Sequence, residues 1–124
     1  MEQLLIVSGE TTWREESLSV LAGCYVVHTV SDAREATAFL MRHNADVVLV
    51  DLELGDWGSF TVLSVAVALD PKPVVIMVGG ANDIRKAVKA MRLGANDYLP
   101  HPVDAAAIAC AIQRCSPARS MQCA

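Results

Sequence analysis

Long apolar runs are missing from this chain, although 53% of its 124 residues are hydrophobic. No stretch approaches the ~20 residues of a membrane-spanning helix, so we expect the apolar side chains to form the core of one domain of ordinary size. The start Met1-Glu2-Gln3 also lacks the basic and then apolar segments of a secretory signal. We therefore predict a cytoplasmic domain without a membrane partner.

Basic residues are outnumbered, and cysteines are few. There are 10 Lys and Arg against 14 Asp and Glu, and a net charge of −4 argues against direct binding to nucleic acid, which requires a basic face. Any DNA contact would come from another domain. The cysteines have neither metal-site spacing nor the density of a disulfide scaffold, so we expect reduced thiols at Cys24, Cys110, Cys115 and Cys123.

Short apolar runs alternate with segments of helical spacing. The runs cover residues 4–7, 25–30, 47–50, 74–78 and 98–99, and most contain almost no polar residue. Such runs are typical of strands buried on both faces of a parallel sheet, whose crossovers are helices. We predict an α/β fold, a doubly wound sheet of five parallel strands with five helices, over residues 1–115. Residues 116–124 are predicted to be a tail or the start of a linker.

The predicted helices carry boundary signals. Ser31 is the expected cap of the second helix, and Asp104 opens the fifth. The third is expected to start after Gly58 and to end before Asp70-Pro71, because proline disfavours helix in the preceding residue. The fourth is predicted over 83–93, with an inward face formed by Ile84, Ala87, Val88 and Met91.

The functional crevice of an open parallel sheet lies at the carboxyl ends of its strands, near the point where the strand order reverses. Asp51 comes directly after the third predicted strand. The residues expected around it follow the other strands or the aspartate itself, and they are Ser8, Gly9, Glu10, Glu53, Val78, Gly79 and His101.

Two segments carry a family resemblance. Asp51 followed by Leu-Glu-Leu-Gly-Asp resembles the phosphorylation loop of bacterial response-regulator receiver domains. Residues 87–102, AVKAMRLGANDYLPHP, are similar to the fourth helix and fifth strand of receivers in nitrogen-regulator-type transcriptional activators. The resemblance covers nearly the whole chain. It implies a flavodoxin-like strand order of 2-1-3-4-5 and a role in signal transduction and transcription regulation.

The resemblance makes Asp51 the phosphoacceptor candidate, but the residues expected to assist its phosphorylation are altered. A working receiver has an acidic pair for magnesium, a Thr or Ser, and a Lys; here these positions fall on Ser8 and Gly9, on Val78, and on His101. Magnesium prefers carboxylate and phosphate oxygens and neutralises charge during phosphoryl transfer. We therefore expect no resident cofactor. Any weak magnesium binding would rely on Asp51, backbone oxygen, water and a displaced Glu10 or Glu53.

Tyr98 occupies the place of the family's switch aromatic, and its coupling should be weak because Val78 has no hydroxyl. Related receivers pair through helix four, strand five and helix five. The resemblance therefore implies a homodimer, with interface candidates Arg85, Lys89, Arg92, Asp97 and Asp104.

Three functions remain open. We favour an atypical receiver, or pseudo-receiver, that acts as an interaction and dimerisation module largely without phosphorylation and answers a histidine kinase or another regulatory protein. The first alternative is a receiver that is still weakly phosphorylated on Asp51. The second is a small-ligand-binding domain that shares only the fold. We expect no enzymatic activity, and we assign no catalytic or metal-ligand residue.

Overall fold

The structure is a computed structural model that describes residues 2–9 and 11–115, without the side chains of residues 11–14 and 56. Glu10 and the predicted tail at 116–124 lie outside the described residues. Five strands alternate with five α-helices, and a 3-10 turn follows the third strand. The elements are β1 (Glu2–Val7), α1 (Thr11–Leu21), β2 (Tyr25–Val30), α2 (Ala33–Arg42), β3 (Val47–Asp51), the turn Leu52–Leu54, α3 (Asp56–Val67), β4 (Val74–Gly79), α4 (Ile84–Arg92), β5 (Asp97–Pro100) and α5 (Ala105–Cys115).

All neighbouring strands are parallel, and their order is β2-β1-β3-β4-β5. The predicted doubly wound fold and its strand order are confirmed. The order reverses beside β1, so the carboxyl ends of β1, β3 and β4 meet at one edge of the sheet. That edge is where this class of fold places its functional crevice.

The core has two layers because successive strand residues point to opposite faces of the sheet. Each fully buried Leu or Ile side chain contributes roughly 1.5–3 kcal/mol to folding. One layer contains Leu4, Ile6, Leu49, Ile76, Ile108 and Ile112, and the other contains Leu5, Val7, Val48, Val50, Leu63 and Met77. Within the described ranges, no helix is both long enough and apolar enough to cross a membrane.

Two helix starts differ from the prediction. Asp32, rather than Ser31, caps α2, because its carboxylate accepts a hydrogen bond from the Glu35 backbone N–H at 2.8 Å. Helix α3 begins at Asp56, before Gly58, because Gly55 has a φ of 92° that turns the chain into the helix. Asp104 opens α5 as predicted, since it accepts from the Ala107 N–H at 2.8 Å.

The predicted inward face of α4 is wrong for three of its four residues. Ile84 is 70% exposed, Met91 is 47% exposed and Val88 is 45% exposed. The buried residue of this helix is Ala90, and Ala87 is half-buried. The helix packs on the sheet through its small alanine side, which leaves its larger apolar side chains at the surface.

One cysteine also differs from the prediction. Cys110 and Cys115 are free thiols, but Cys24 is disulfide-bonded, so the prediction of reduced thiols is wrong there. Sequence spacing alone does not show which cysteines a fold brings into reach. Burial, and then the negative charge of Asp97, raise the pKa of the Cys115 thiol. Cys123 lies outside the described residues.

Candidate functional site

Asp51 ends β3 at the switch-point edge, and its side chain is fully buried. One carboxylate oxygen, Oδ1, accepts a hydrogen bond from the Glu53 backbone N–H at 2.9 Å. The other, Oδ2, accepts from the Ser8 hydroxyl at 3.0 Å. The carboxylate thus caps the turn Leu52–Leu54 and ties it to the end of β1.

The two positions of the family's acidic pair carry no charge here. Ser8 is fully buried, and its backbone N–H donates to the Val30 carbonyl at 3.0 Å. A neutral hydroxyl therefore touches Asp51 where a second carboxylate is expected. Gly9 is exposed, and a Cβ built on it would have the Ser31 carbonyl oxygen as its nearest neighbour, at 3.6 Å. The Gly9 position therefore has room for a side chain.

Val78 and His101 also lie beside Asp51. Val78 is paired with Asp51 in the sheet register and is fully buried, so no hydroxyl is offered at this position. The His101 backbone N–H donates to the Gly79 carbonyl at 2.7 Å, which holds the residue beside β4. Its Nε2 lies 3.6 Å from Asp51 Oδ1, too far for a hydrogen bond, and the pair attracts only when the imidazole is protonated.

A magnesium ion fits these residues poorly. In the part of the chain that the structure describes, no three His, Cys, Asp or Glu side chains come together in a way that could hold a metal. Glu53 is exposed on the turn, and it is the backbone N–H of this residue that contacts Asp51. Magnesium prefers several carboxylate or phosphate oxygens in octahedral geometry, and Asp51 supplies one carboxylate.

Tyr98 lies against the end of β4. Its hydroxyl donates to the Gly80 carbonyl at 2.9 Å, and a Cβ on Gly79 would collide with that hydroxyl and with the Leu52 side chain. Burial raises the pKa of Tyr98, and the negative charge of Asp83 raises it further. The switch-aromatic candidate is therefore half-buried and held by a hydrogen bond within its own chain.

The acidic interface candidates are engaged within the chain. Asp97 Oδ2 accepts a hydrogen bond from Arg114 Nη2 at 2.6 Å, and Asp104 caps α5. The basic candidates lie on α4, where the Lys89 ammonium is 4.5 Å from the centre of the Phe60 ring of α3. The structure thus brings Asp51 together with Ser8, Val78 and His101, whereas the interface candidates are spread over several elements.

One contributor to the site region, Leu52, was missed. Leu52 packs beside Gly79, and Gly79 is the residue whose missing side chain admits Tyr98. Gly79 was predicted to lie near Asp51, but its close contact with Tyr98 was not predicted, although a glycine inside an apolar strand is a known signal of close approach. A surface residue was also missed, Trp57, which is 81% exposed at the start of α3.

Comparison with solved structures finds the same fold over almost the whole chain. The signal receiver domain of a LuxO repressor protein from Vibrio parahaemolyticus superposes with a TM-score of 0.84 at 21% identity, covering 98% of this chain and 94% of that one. The receiver domain of NtrX from Brucella abortus gives a TM-score of 0.82 at 25% identity, covering 91% and 97%.

Curated relatives match this chain in part of their length. The protein-glutamate methylesterase/protein-glutamine glutaminase 6 of Anaeromyxobacter dehalogenans is 31% identical over 105 residues, which are 81% of this chain and 29% of that protein. The alginate biosynthesis transcriptional regulatory protein AlgB of Pseudomonas aeruginosa is 37% identical over 78 residues, 63% of this chain and 17% of that protein. The chain therefore spans less than a third of either relative.

The family model described as the response regulator receiver domain matches residues 4–113. That range takes in most of β1, the other four strands, the Asp51 site and most of α5. The chain belongs to the response regulator receiver domain family.

Proposed function

We propose that this chain is a pseudo-receiver, an interaction module in signalling that controls transcription and whose state is largely independent of phosphorylation on Asp51. The surroundings of the Asp51 carboxylate carry this proposal. The Ser8 hydroxyl that donates to it is neutral, Val78 offers no hydroxyl, and His101 Nε2 is 3.6 Å away. An acid, a hydroxyl residue and a lysine are the groups that the family uses at these positions.

Phosphoryl transfer to a carboxylate needs positive charge where negative charge gathers in the transition state. Ser8, Val78 and His101 supply little of it, because a serine hydroxyl is neutral, a valine is apolar and a histidine, unlike a lysine, carries no permanent positive charge. Asp51 also has a structural role, since one of its oxygens accepts the hydrogen bond that caps the turn and the other accepts a hydrogen bond from Ser8 after β1. Keeping the aspartate therefore does not require that it be phosphorylated.

The position of Tyr98 supports the same proposal. In the family, this aromatic moves inward when the hydroxyl residue moves toward the phosphoryl group. Here Tyr98 is already bonded to the Gly80 carbonyl, and Gly79 provides the space for it. This hydrogen bond of Tyr98 therefore needs neither a phosphoryl group nor a hydroxyl at position 78.

The alternative is a weakly phosphorylated receiver. The presence of a buried aspartate, Asp51, at the carboxyl end of β3 supports this alternative. A magnesium titration separates the two, since phosphorylation requires the metal. We expect amide chemical shifts around Asp51 and Glu53 to show no saturation up to about 10 mM magnesium, because one carboxylate gives a weak site.

Asp51→Ala is the control for that titration. Shifts that occur equally in both proteins report ionic strength or binding elsewhere and leave the proposal standing. A saturable shift near Asp51, below about 1 mM and absent from Asp51→Ala, would revive the phosphorylated receiver.

The output of the module is also a proposal. Relatives of this chain include a transcriptional regulatory protein, which matches 63% of it, and a methylesterase, which matches 81% of it. Since the receiver stretch is 29% of the methylesterase relative's length, we assign this chain no enzymatic activity. We propose a cytoplasmic signalling protein, with a histidine kinase or another regulatory protein as its partner and with no direct contact to nucleic acid by this domain.

We further propose a homodimer through α4, β5 and α5. Arg85 and Arg92 are exposed on α4, so Arg85→Glu or Arg92→Glu is expected to give a monomer in light scattering at micromolar concentration. Arg42→Glu is the matched control, because Arg42 is exposed on α2, away from this face. A mass unchanged by the α4 substitutions would remove the dimer from the proposal.

A further inference from the structure

Trp57 stands on the surface of α3 with a hollow on either side. It is 81% exposed, although tryptophan is usually well buried. On the α4 side a hollow of about 440 Å³ is lined by Trp57, Phe60, Thr61, Ser64, Val65, Lys89 and Leu93. On the α2 side a hollow of about 240 Å³ is lined by Ala33, Arg34, Thr37, Trp57 and Thr61. We call Trp57 and these two hollows the Trp57 ridge.

The charged side chains of the Trp57 ridge are basic. Among the residues that the structure describes, those lining the two hollows include Arg34 on one side and Lys89 on the other, and no acidic side chain. This contrasts with the chain as a whole, whose net charge is −4. An exposed aromatic group between two cations is complementary to an apolar surface with acidic flanks.

We propose that the Trp57 ridge binds a helix of a partner protein, one whose apolar stripe is flanked by acidic side chains. A small molecule is a poor fit, because ligand sites enclose most of the ligand surface whereas Trp57 projects from this surface. The ridge is built on helices and has no strand edge for a partner strand to extend. A helix can place side chains at i, i+3, i+4 and i+7 into both hollows and cover Trp57 between them.

A second copy of this chain is a poor symmetric occupant. In a two-fold pairing the same surface meets itself, so Arg34 and Lys89 would face the basic side chains of the copy. The Asp51 site is also separate, because Asp51, Ser8, Val78 and His101 do not line these hollows. Lys89 belongs to the proposed dimer face as well, but Trp57 does not, so substitutions of Trp57 distinguish the two surfaces.

The test is an NMR titration of the ¹⁵N-labelled chain with a designed peptide. The probe is a stapled amphipathic helix of about four turns, with leucines at i, i+3, i+4 and i+7 and glutamates on both flanks. The control peptide has the same leucines, and each glutamate is replaced with lysine. Saturable shifts of the Trp57 indole N–H and of amides in α3 and α4 are expected with the glutamate peptide, and at least about tenfold weaker binding is expected with the lysine peptide.

Matched variants locate the site. Trp57→Ala and Lys89→Glu should each weaken binding of the glutamate peptide at least about tenfold. Met41→Ala should leave the affinity unchanged, since Met41 is 73% exposed on α2 and does not line either hollow. Because Trp57 is so exposed, its removal should not change the free energy of unfolding, which urea denaturation checks.

Four results would overturn the proposal. The first is the absence of any saturable shift up to about 1 mM glutamate peptide, and the second is equal binding of the two peptides. The third is a set of Trp57 shifts that depend on protein concentration in the absence of peptide. The fourth is broadening of the Trp57 signal by phosphatidylglycerol vesicles with no response to either peptide. The third would assign the ridge to a second copy of this chain, and the fourth would assign it to a lipid surface.

Discussion

A variant with aspartates at positions 8 and 9, threonine at 78 and lysine at 101 is expected to accept a phosphoryl group on Asp51, which the natural chain should not do. Ser8→Asp and Gly9→Asp supply the carboxylates for magnesium, Val78→Thr supplies the hydroxyl, and His101→Lys supplies a permanent positive charge. Gly9 has room for the new side chain, and threonine is close to valine in shape. Acetyl phosphate with magnesium, followed by intact mass, measures the adduct.

The four-fold variant should also depend on magnesium for its stability. Ser8 Oγ lies 3.0 Å from Asp51 Oδ2, so Ser8→Asp brings two carboxylates close together, and they repel each other unless a cation lies between them. Magnesium is therefore expected to raise the melting temperature of the variant but not of the natural chain. The same variant carrying Asp51→Ala must show no adduct. A folded variant that binds magnesium without being labelled would mean that the turn after Asp51 has the wrong geometry for transfer.

Gly79→Ala is expected to destabilise the domain by about 1–3 kcal/mol, the usual cost of overpacking a core. The new Cβ would collide with the Tyr98 hydroxyl and with the Leu52 side chain. We expect Tyr98 to move outward and to lose its hydrogen bond to the Gly80 carbonyl. Because burial is the main cause that raises the Tyr98 pKa, that pKa should then fall toward 10.0. Urea denaturation and an ultraviolet pH titration measure the two effects.

Gly58→Ala is the matched control, because the same chemical change should act with the opposite sign. A Cβ at Gly58 would meet the Ala33 Cβ at 3.5 Å, an ordinary contact, and alanine in a helix is favoured over glycine by about 0.5–1 kcal/mol. In a Tyr98→Phe background the cost of Gly79→Ala should shrink, since one of the colliding groups is absent. Equal costs in both backgrounds would show that Tyr98 does not occupy the space that Gly79 leaves.

The sheet and the Asp51 site followed from the sequence because their signals are local. Apolar runs of strand length predict buried parallel strands, and in this fold class the residue after such a strand lies at the functional edge. Asp51, Ser8, Val78 and His101 were placed together for that reason, and the structure has them as neighbours.

The orientation of α4 could not be predicted in the same way. Its sequence has an apolar stripe and an alanine side, and the pattern does not tell which of them meets the sheet. The structure buries Ala90 and leaves Ile84 and Val88 exposed. The contact between Tyr98 and Gly79 joins β5 to β4, and the disulfide at Cys24 likewise depends on the fold, so neither had a local sequence signal strong enough to find it.

The most direct test of the central proposal is the intact mass of the natural chain after incubation with magnesium and acetyl phosphate, beside an Asp51→Ala control. The surroundings of Asp51 predict no phosphate adduct, or the same trace in both proteins, because Ser8, Val78 and His101 provide no permanent positive charge for the transfer. A substantial adduct that is present in the natural chain and absent from Asp51→Ala would contradict the proposal and make phosphorylation the switch of this domain.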